Sequence, residues 1–299
     1  MRPVINFDNI YIMKNTDLFY NKNAVRDLLN AHGIKLSKTM GQNFLTDVNI
    51  TEKIVTQSGI DKSCGVLEVG PGLGALTSAL SKVAGKVVSV ELDKRLVPVL
   101  TGLFSAQSGV TVIQGDILKL DINKLIKENM SGLRHHVCAN LPYNITTPAI
   151  TAFLESGAFE SVTVMIQKEV AERICAKQGS PEYGAFTVYT NYHTKPAILF
   201  DVSPECFFPR PKVTSSVVKM DIREKRLLSY EDEKIFFKVV RAAFGQRRKT
   251  LVNALFAVFE KTFSKEEISG IVANCGFDTR IRGEVLSIDD FIKLSLYFK

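Results

Sequence analysis

Short apolar runs rich in β-branched residues alternate with amphipathic segments from residue 65 to residue 177. The runs expected to form strands are 65–69, 86–92, 110–116, 135–140 and 161–167, and the segments expected to form helices are 74–84, 94–104, 122–130, 147–155 and 168–177. Such alternation predicts an α/β fold with a doubly wound parallel sheet and helices on both faces. Ligands of such sheets bind at the carboxyl ends of the strands.

The alternation stops near residue 185. Two further strands, 186–202 and 215–222, follow without a long helix between them, which predicts an antiparallel hairpin that closes the sheet. From about residue 225 the apolar spacing is helical only. The sequence therefore predicts an N-terminal extension over residues 1–20, an α/β domain over 21–224 and a small all-α domain over 225–299.

Charge and cysteine content restrict the class of protein. The 299 residues include 38 basic and 31 acidic side chains, and the net charge of +7 is compatible with a polyanionic partner without requiring one. The five cysteines and four histidines show no metal-ligand spacing, and no apolar stretch reaches the length of a membrane span. We therefore expect a cytoplasmic protein with reduced thiols, no metal and no membrane contact.

A glycine-rich turn follows the first strand, in the segment LEVGPGLGALT at 67–77. Gly70 and Gly72 allow the backbone to come close to a ligand there. Glu91 follows Gly70 by 21 residues and ends the second strand, where a carboxylate can bind ribose hydroxyls. The pattern also fits a dinucleotide-binding turn, so a nicotinamide cofactor is an alternative at this point.

Glu68 and Asp116 favour a different ligand. Glu68 precedes Gly70 by two residues, and a pyrophosphate bound at this turn would meet its carboxylate unfavourably. S-adenosylmethionine, which has a cationic end and a ribose, would be favoured, and Asp116 at the end of the third strand would accept from the adenine amino group. The alternative for Glu68 is a helix-capping or exposed carboxylate.

The segment NLPYNITTP at 140–148 places turn residues and one aromatic ring directly after the fourth strand. The exocyclic amine of a nucleobase is a poor nucleophile because its lone pair is delocalised into the ring. The side-chain oxygen of Asn140 and the carbonyl of Leu141, held by the rigid Pro142, can accept its two N–H groups, and Tyr143 offers a surface on which the base stacks. These residues predict a catalytic site, and the alternative is an ordinary turn.

Eight motifs occur along the chain in a fixed order. They are GQNFL (41–45), LEVGPGLGALT (67–77), VELD (90–93), GDIL (115–118), NLPYNITTP (140–148), QKEVAERI (167–174), FFPRPKV (207–213) and FGQRRKTLVNAL (244–255). On these motifs the chain resembles, from about residue 21 onward, the small-subunit ribosomal RNA adenine dimethyltransferases. The resemblance implies a class I, Rossmann-like methyltransferase domain and a helical RNA-binding domain. It also implies S-adenosylmethionine as the methyl donor, and dimethylation at N6 of two adjacent adenines near the 3′ end of small-subunit rRNA in a pre-ribosomal particle.

We expect the protein to be a monomer. The resemblance also assigns site residues. The residues expected around the cofactor are Asn43, Leu45, Gly70, Glu91, Asp116 and Asn140. Phe207 of FFPRPKV would form a second wall for the target adenine, with a core position as the alternative. Arg247, Arg248 and Lys249, which open a predicted helix, would contact the RNA backbone, and their alternative is a solvated basic face.

Three other functions stay open from the sequence. Large-subunit rRNA methyltransferases of the Erm family share the fold and chemistry but often read NIPY where this chain has NLPY. A non-catalytic RNA-binding assembly factor on the same fold is the second alternative, against which the complete set of cofactor residues argues. The third is a nicotinamide oxidoreductase, against which Glu68 argues.

Overall fold

The computed structural model describes residues 19–36, 41–246 and 248–299, which form two compact units. The first unit contains the described residues up to Lys168 together with Ala197–Ile222. The second contains Glu169–Pro196 together with Arg223–Lys299.

Strands and helices alternate through most of the first unit, and helices predominate in the second. The strands are β1 (Phe44–Leu45), β2 (Cys64–Val69), β3 (Lys86–Glu91), β4 (Val110–Gln114), β5 (Arg134–Asn140), β6 (Ser161–Gln167), β7 (Thr194–Val202), β8 (Phe207–Phe208) and β9 (Ser215–Ile222). The α-helices are α1 (Lys22–Ala31), α2 (Val48–Ser58), α3 (Ala75–Val83), α4 (Val97–Phe104), α5 (Ile122–Asn129), α6 (Thr146–Ser156), α7 (Lys168–Ile174), α8 (Ala185–His193), α9 (Tyr230–Gly245), α10 (Leu251–Phe259), α11 (Lys265–Asn274) and α12 (Ile288–Ser295).

A seven-stranded sheet forms the centre of the first unit, in the order β4-β3-β2-β5-β6-β9-β7. The five strands from β2 to β6 pair in parallel, and β9 runs antiparallel to β6. The predicted doubly wound sheet is therefore confirmed. The chain moves outward from β2 through β3 and β4 and then returns to the other side of β2 with β5. Strand order thus reverses between β2 and β5, and such reversals are where open α/β sheets bind ligands.

Residues 186–193 form a helix, so the strand predicted over 186–202 is wrong in its first half. α8 covers these residues, and β7 begins only at Thr194. A mixture of aromatic and β-branched residues is typical of a strand. In the structure, Val188 and Tyr192 are four residues apart on one helix face and are buried in the apolar core of the second unit. Tertiary packing here outweighs the local strand preference.

The two units divide the chain differently from the domains predicted for 21–224 and 225–299. Residues 169–196 belong to the second unit because α8 contributes to the same apolar cluster as Phe236 on α9 and Phe291 on α12. That cluster explains why a segment distant in sequence joins the C-terminal helices. The change of pattern near residue 225 lies close to the observed division after Ile222.

Residues 1–18 of the predicted N-terminal extension lie outside the described residues. The last two residues of the extension, Phe19 and Tyr20, pack against the first unit. Phe19 is 4% exposed and its ring stacks on Phe104, with 6.4 Å between the ring centroids. The Tyr20 hydroxyl lies 3.0 Å from the Thr51 hydroxyl. The first unit therefore begins at least two residues before the predicted boundary.

The variant Phe19→Ala tests this boundary. Truncating a buried phenylalanine removes apolar contacts and leaves a cavity, so we expect the free energy of unfolding to fall by about 3 kcal/mol. Arg26→Ala, at an exposed position of the same segment, is the control and should change it by less than about 0.5 kcal/mol. Urea unfolding of both variants provides the measurement. Equal stability of the two variants would show that residue 19 is not part of the folded unit.

Candidate active site

A pocket opens in the first unit where strand order reverses. Its walls are the segment 41–45, the glycine turn after β2, the ends of β3 and β4, and the segment that follows β5. It brings together eleven predicted site residues, namely Asn43, Leu45, Glu68, Gly70, Gly72, Glu91, Asp116, Asn140, Leu141, Pro142 and Tyr143. Parallel strands present their carboxyl ends at one edge of the sheet, which is why residues from four separate strand ends meet here.

The glycine turn depends on two positions without side chains. Gly70 and Gly72 have φ angles of +67° and +62°, a region that favours glycine. A Cβ atom on Gly72 would lie 2.7 Å from Cδ1 of Phe44, and one on Gly70 would lie 3.3 Å from Cδ of Pro142. The sequence predicts that these glycines allow the close approach of a ligand. The structure adds that they let the segment 41–45 and the turn after β5 pack against the glycine turn.

Glu91 is buried at the end of β3 with its carboxylate held by backbone groups. Gly72 N–H donates to Oε2 over 3.2 Å, and Asp93 N–H donates to Oε1 over 2.8 Å. Burial raises the pKa of Glu91, and the two backbone hydrogen bonds partly offset this effect. A carboxylate offers about four acceptor positions. The fixed carboxylate can therefore still accept hydrogen bonds from a diol.

Glu68 is 1% exposed and lies where β2 meets the first turn of α3. Its Oε2 accepts from the Thr77 hydroxyl at 2.5 Å and from the Ser89 hydroxyl at 2.7 Å. Burial raises the pKa of Glu68 to about 7, although these two hydrogen bonds act in the opposite direction. The backbone N–H of Thr77, in the first turn of α3, also stabilises the carboxylate, in agreement with the helix-capping alternative. The same side chain also lines the pocket, where a nearby positive charge would favour its ionised form.

Asp116 lies after β4 and is partly buried at the pocket wall. Its Oδ1 accepts from the backbone N–H of Leu118 at 3.1 Å, and Lys119 Nζ lies 3.5 Å from Oδ2. The carboxylate thus has a fixed orientation and remains accessible. It can accept a hydrogen bond from an amino group.

The segment 41–45 is tied to the end of β3 by a group of residues that sequence reasoning did not assign. Gln42 Nε2 donates to Asp93 Oδ2 over 2.9 Å. Arg95 donates to both oxygens of Asp93, from Nε at 2.9 Å and from Nη2 at 2.7 Å. The Arg95 hydrogen bonds hold the pKa of Asp93 at about 2. The only sequence signal for this group is that its members lie in or beside the motifs GQNFL and VELD.

Asn140 ends β5 with its amide orientation set by the same segment. Its Nδ2 donates to the backbone carbonyl of Asn43 over 3.2 Å. Because a carbonyl can only accept, the amide nitrogen must face Asn43, which defines the positions of Nδ2 and Oδ1. Oδ1 is therefore the atom of this amide available as an acceptor for a ligand.

The three residues after Asn140 form a rigid turn. Leu141 N–H donates to the carbonyl of Met165 over 3.1 Å, and in the described part of the chain no hydrogen bond reaches the Leu141 carbonyl. Pro142 has φ −54° and ψ 129°, and its carbonyl accepts from Ile145 N–H at 3.1 Å. Tyr143 is half-buried, and its hydroxyl lies 2.7 Å from the Ser215 hydroxyl. Burial raises the pKa of the Tyr143 phenol, and the bond to Ser215 partly offsets this.

Phe207 is a core residue and does not line the pocket. It is 1% exposed, lies opposite Leu45 in the β1–β8 pair, and packs in the apolar cluster that contains Val66 and Leu80. The ring in this position does not line the pocket. The position agrees with the core alternative rather than with the second wall predicted for Phe207.

The predicted basic cluster lies in the second unit, between α9 and α10. Arg248 and Lys249 are exposed, whereas Arg247 lies outside the described residues. Neither Arg248 nor Lys249 is helical, and Lys249 N–H donates to the Gln246 carbonyl over 2.9 Å. The prediction that the cluster opens a helix is wrong, because α10 begins at Leu251 with Thr250 as its N-cap.

The described residues provide neither a metal-binding cluster nor a membrane-spanning helix. They contain no group of three or more His, Cys, Asp or Glu side chains that could hold a metal ion. None of their helices is both long enough and apolar enough to cross a membrane.

Comparison with known proteins assigns the family. The family model described as ribosomal RNA adenine dimethylase matches residues 33–294. The chain belongs to this dimethylase family. It is 46% identical over 270 residues to ribosomal RNA small subunit methyltransferase A of Shouchella clausii, a match that covers 90% of this chain and 91% of that protein.

Solved structures agree with the family assignment. A dimethyladenosine transferase from Plasmodium falciparum is 28% identical, with a TM-score of 0.73, and the match covers 85% of this chain and 96% of that one. The 23S rRNA methyltransferase ErmE has a TM-score of 0.66 at 22% identity, covering 85% of this chain and 98% of its own. The second similarity supports the fold alone. Both agree with the class I, Rossmann-like methyltransferase fold expected for the dimethylase family.

The charge of the pocket fits the methyl donor of a dimethylase. Among the described residues, its lining includes three carboxylates, Glu68, Glu91 and Asp116, and neither lysine nor arginine. Such a lining disfavours a pyrophosphate and favours a ligand with cationic groups. The pocket therefore suits S-adenosylmethionine better than a nicotinamide dinucleotide.

The raised pKa of Glu68 makes stability depend on pH. Because the folded protein holds this proton up to about pH 7 and the unfolded chain releases it near pH 4.5, stability should decline as the pH rises through that interval. The decline attributable to Glu68 is at most roughly 3 kcal/mol. Glu68→Gln cannot ionise and should lose this decline. Denaturant unfolding at pH 5 and pH 8 measures it, with Glu155→Gln, at an exposed carboxylate, as the control. Identical pH dependence in Glu68→Gln and wild type would contradict the assignment.

Proposed function

We propose that this protein transfers methyl groups from S-adenosylmethionine to N6 of two adjacent adenines near the 3′ end of small-subunit rRNA. The observation that carries the proposal is the orientation of Asn140. Its amide nitrogen is occupied by the Asn43 carbonyl, and its oxygen is left for a ligand beside the Leu141 carbonyl and the Tyr143 ring. Two acceptors and an aromatic surface are what an exocyclic amine of a base requires.

The methyl donor would be held by the carboxylates of the same pocket. When bound, S-adenosylmethionine supplies a methyl group on a sulfonium, which is a good leaving group. Glu91 would accept from the ribose hydroxyls, Asp116 from the adenine amino group, and Glu68 would lie towards the cationic end. Asn43 and Leu45, on the segment that Gln42 anchors to Asp93, would close over the donor.

The acceptors would activate the target amine. Asn140 Oδ1 and the Leu141 carbonyl would accept its two N–H groups and favour a pyramidal nitrogen, whose lone pair is no longer delocalised into the ring. Tyr143 would support the base, which must leave its helix or loop to reach the pocket. Catalysis would then rest mainly on positioning. In the second transfer the amine keeps only one N–H, so the two acceptors can no longer both be used.

Relatives favour the small subunit as the substrate. Proteins 40% to 46% identical over most of this chain are named ribosomal RNA small subunit methyltransferase A, whereas the 23S rRNA enzyme is similar in fold alone. We also propose that the protein binds this rRNA in a pre-ribosomal particle and that it acts in the cytoplasm. A role in assembly without catalysis would leave the orientation of Asn140 unexplained.

The variant Asn140→Ala tests the proposal. The purified protein is incubated with labelled S-adenosylmethionine and either unmethylated small subunits or large subunits, and the modified bases are mapped. We expect dimethyladenosine in small subunits only. Asn140→Ala should reduce transfer about 10²- to 10³-fold, the scale for losing one preorganised hydrogen bond at a reacting group. Asn123→Ala, on the exposed face of α5, should transfer at the wild-type rate. Label in large subunits alone would reject the proposal.

The basic cluster of the second unit provides an independent prediction. If Arg247, Arg248 and Lys249 contact phosphates, replacing all three with alanine should weaken RNA binding and reduce the slope of log K against log salt by up to about 2 to 3. The control variant Lys225→Ala/Arg226→Ala removes exposed positive charges elsewhere in the same unit. S-adenosylmethionine affinity should be unchanged in both variants. A triple variant with the wild-type salt slope would mean that the basic cluster is a solvated surface that does not contact RNA phosphates.

A further inference from the structure

Ser215 is a buried residue that contacts the ring on which the target base is proposed to stack. Its hydroxyl lies 2.7 Å from the Tyr143 hydroxyl, and its residue surface is 0% exposed. Tyr143 lines the pocket, whereas Ser215 is not among the lining residues. The contact through which the Ser215 side chain can act on the reaction is therefore its hydrogen bond to Tyr143.

The antiparallel direction of β9 explains why Ser215 lies at this edge of the sheet. Ser215 is the first residue of β9 and pairs with Gln167, the last residue of β6. An antiparallel strand begins where its parallel neighbours end, so its amino end lies beside the pocket. The next residue, Ser216, points to the opposite face, because side chains alternate along a strand, and donates to Asp201 Oδ1 over 2.7 Å.

The backbone and the hydroxyl together restrain the Tyr143 ring. Pro142 restricts the backbone that leads into Tyr143, and the Pro142 carbonyl accepts from Ile145 N–H. The bond to Ser215 fixes the far end of the side chain. We infer that Ser215 is a positioning residue that holds the Tyr143 ring at the angle needed to present the base to Asn140 and Leu141. This inference rests on the proposed function.

The two hydroxyls differ in what their removal leaves behind. Ser215 is fully buried, so Tyr143→Phe strands a hydroxyl that has no access to water, and the fold is destabilised. Tyr143 is only half-buried and lines the pocket, so Ser215→Ala should destabilise the fold less than Tyr143→Phe. Removing both partners leaves no stranded group, so the double variant should recover stability relative to Tyr143→Phe.

A double-mutant cycle tests the inference. Single-turnover methyl transfer to unmethylated small subunits is measured for Ser215→Ala, Tyr143→Phe and the double variant, together with RNA affinity, S-adenosylmethionine affinity and the melting temperature. The rate constant at saturating RNA should fall about 3- to 10-fold in each single variant, the effect of one neutral hydrogen bond. The double variant should be no slower than the slower single variant, because both changes remove the same bond. The two binding affinities should stay within about two-fold of wild type.

Ser216→Ala is the matched control, because it removes a buried hydroxyl from the same strand without touching Tyr143. It should transfer at the wild-type rate even if it melts earlier. A full rate in Ser215→Ala, or a double variant whose loss equals the product of the two single losses, would overturn the positioning role while leaving the proposed function intact. If the wild type transfers no methyl group to small subunits, the proposed function fails, and the inference fails with it.

Discussion

The parallel pairing of β2 with β5 is the constraint on which the site depends. These strands are neighbours in space although β3 and β4 intervene in sequence, and Leu67 pairs with Val137. Their carboxyl ends therefore bring the glycine turn next to the segment after β5. The contact is close enough that a Cβ atom on Gly70 would lie 3.3 Å from Pro142. The backbone pairing of the two strands thus sets the distance between the proposed donor site and the proposed acceptor site.

Buried carboxylates are an energetic cost of this arrangement. Glu68, Glu91 and Asp93 are all buried near the ends of β2 and β3. Asp93 is compensated by Arg95, whereas Glu68 and Glu91 have only hydroxyl and backbone donors, and burial raises their pKa values. Two buried carboxylates without a cationic partner destabilise the protein when no ligand is bound. A cationic ligand would relieve this cost, which relates the charge of the pocket to the methyl donor of the dimethylase family.

The side chains proposed to bind the target amine are oriented from outside the motif that contains them. The Asn43 carbonyl, in the segment 41–45, determines which way the Asn140 amide faces. The Ser215 hydroxyl, at the start of an antiparallel strand, restrains the Tyr143 ring. The four residues NLPY would therefore supply the proposed chemistry, and elements 97 residues earlier and 72 residues later orient two of their side chains. Preorganisation of this kind is what a reaction that relies on positioning requires.

The sequence by itself determined the alternating fold, the glycine turn and the residue types of the pocket, because these depend on local periodicity and on the topology that periodicity implies. Nine of the eleven predicted residues meet at one edge for that reason, whereas Asn43 and Leu45 lie on the segment 41–45 and are assigned by the family resemblance. The sequence did not determine the helix at 186–193, the burial of Phe207 or the packing of Phe19, because each of these depends on apolar partners that are distant in the chain. The same holds for Asp93 with Gln42 and for Ser215 with Tyr143, pairs separated by 51 and 72 residues. Hydrogen bonds between such side chains leave no periodic trace in a sequence, and only the folded chain brings the two groups within 3 Å of each other.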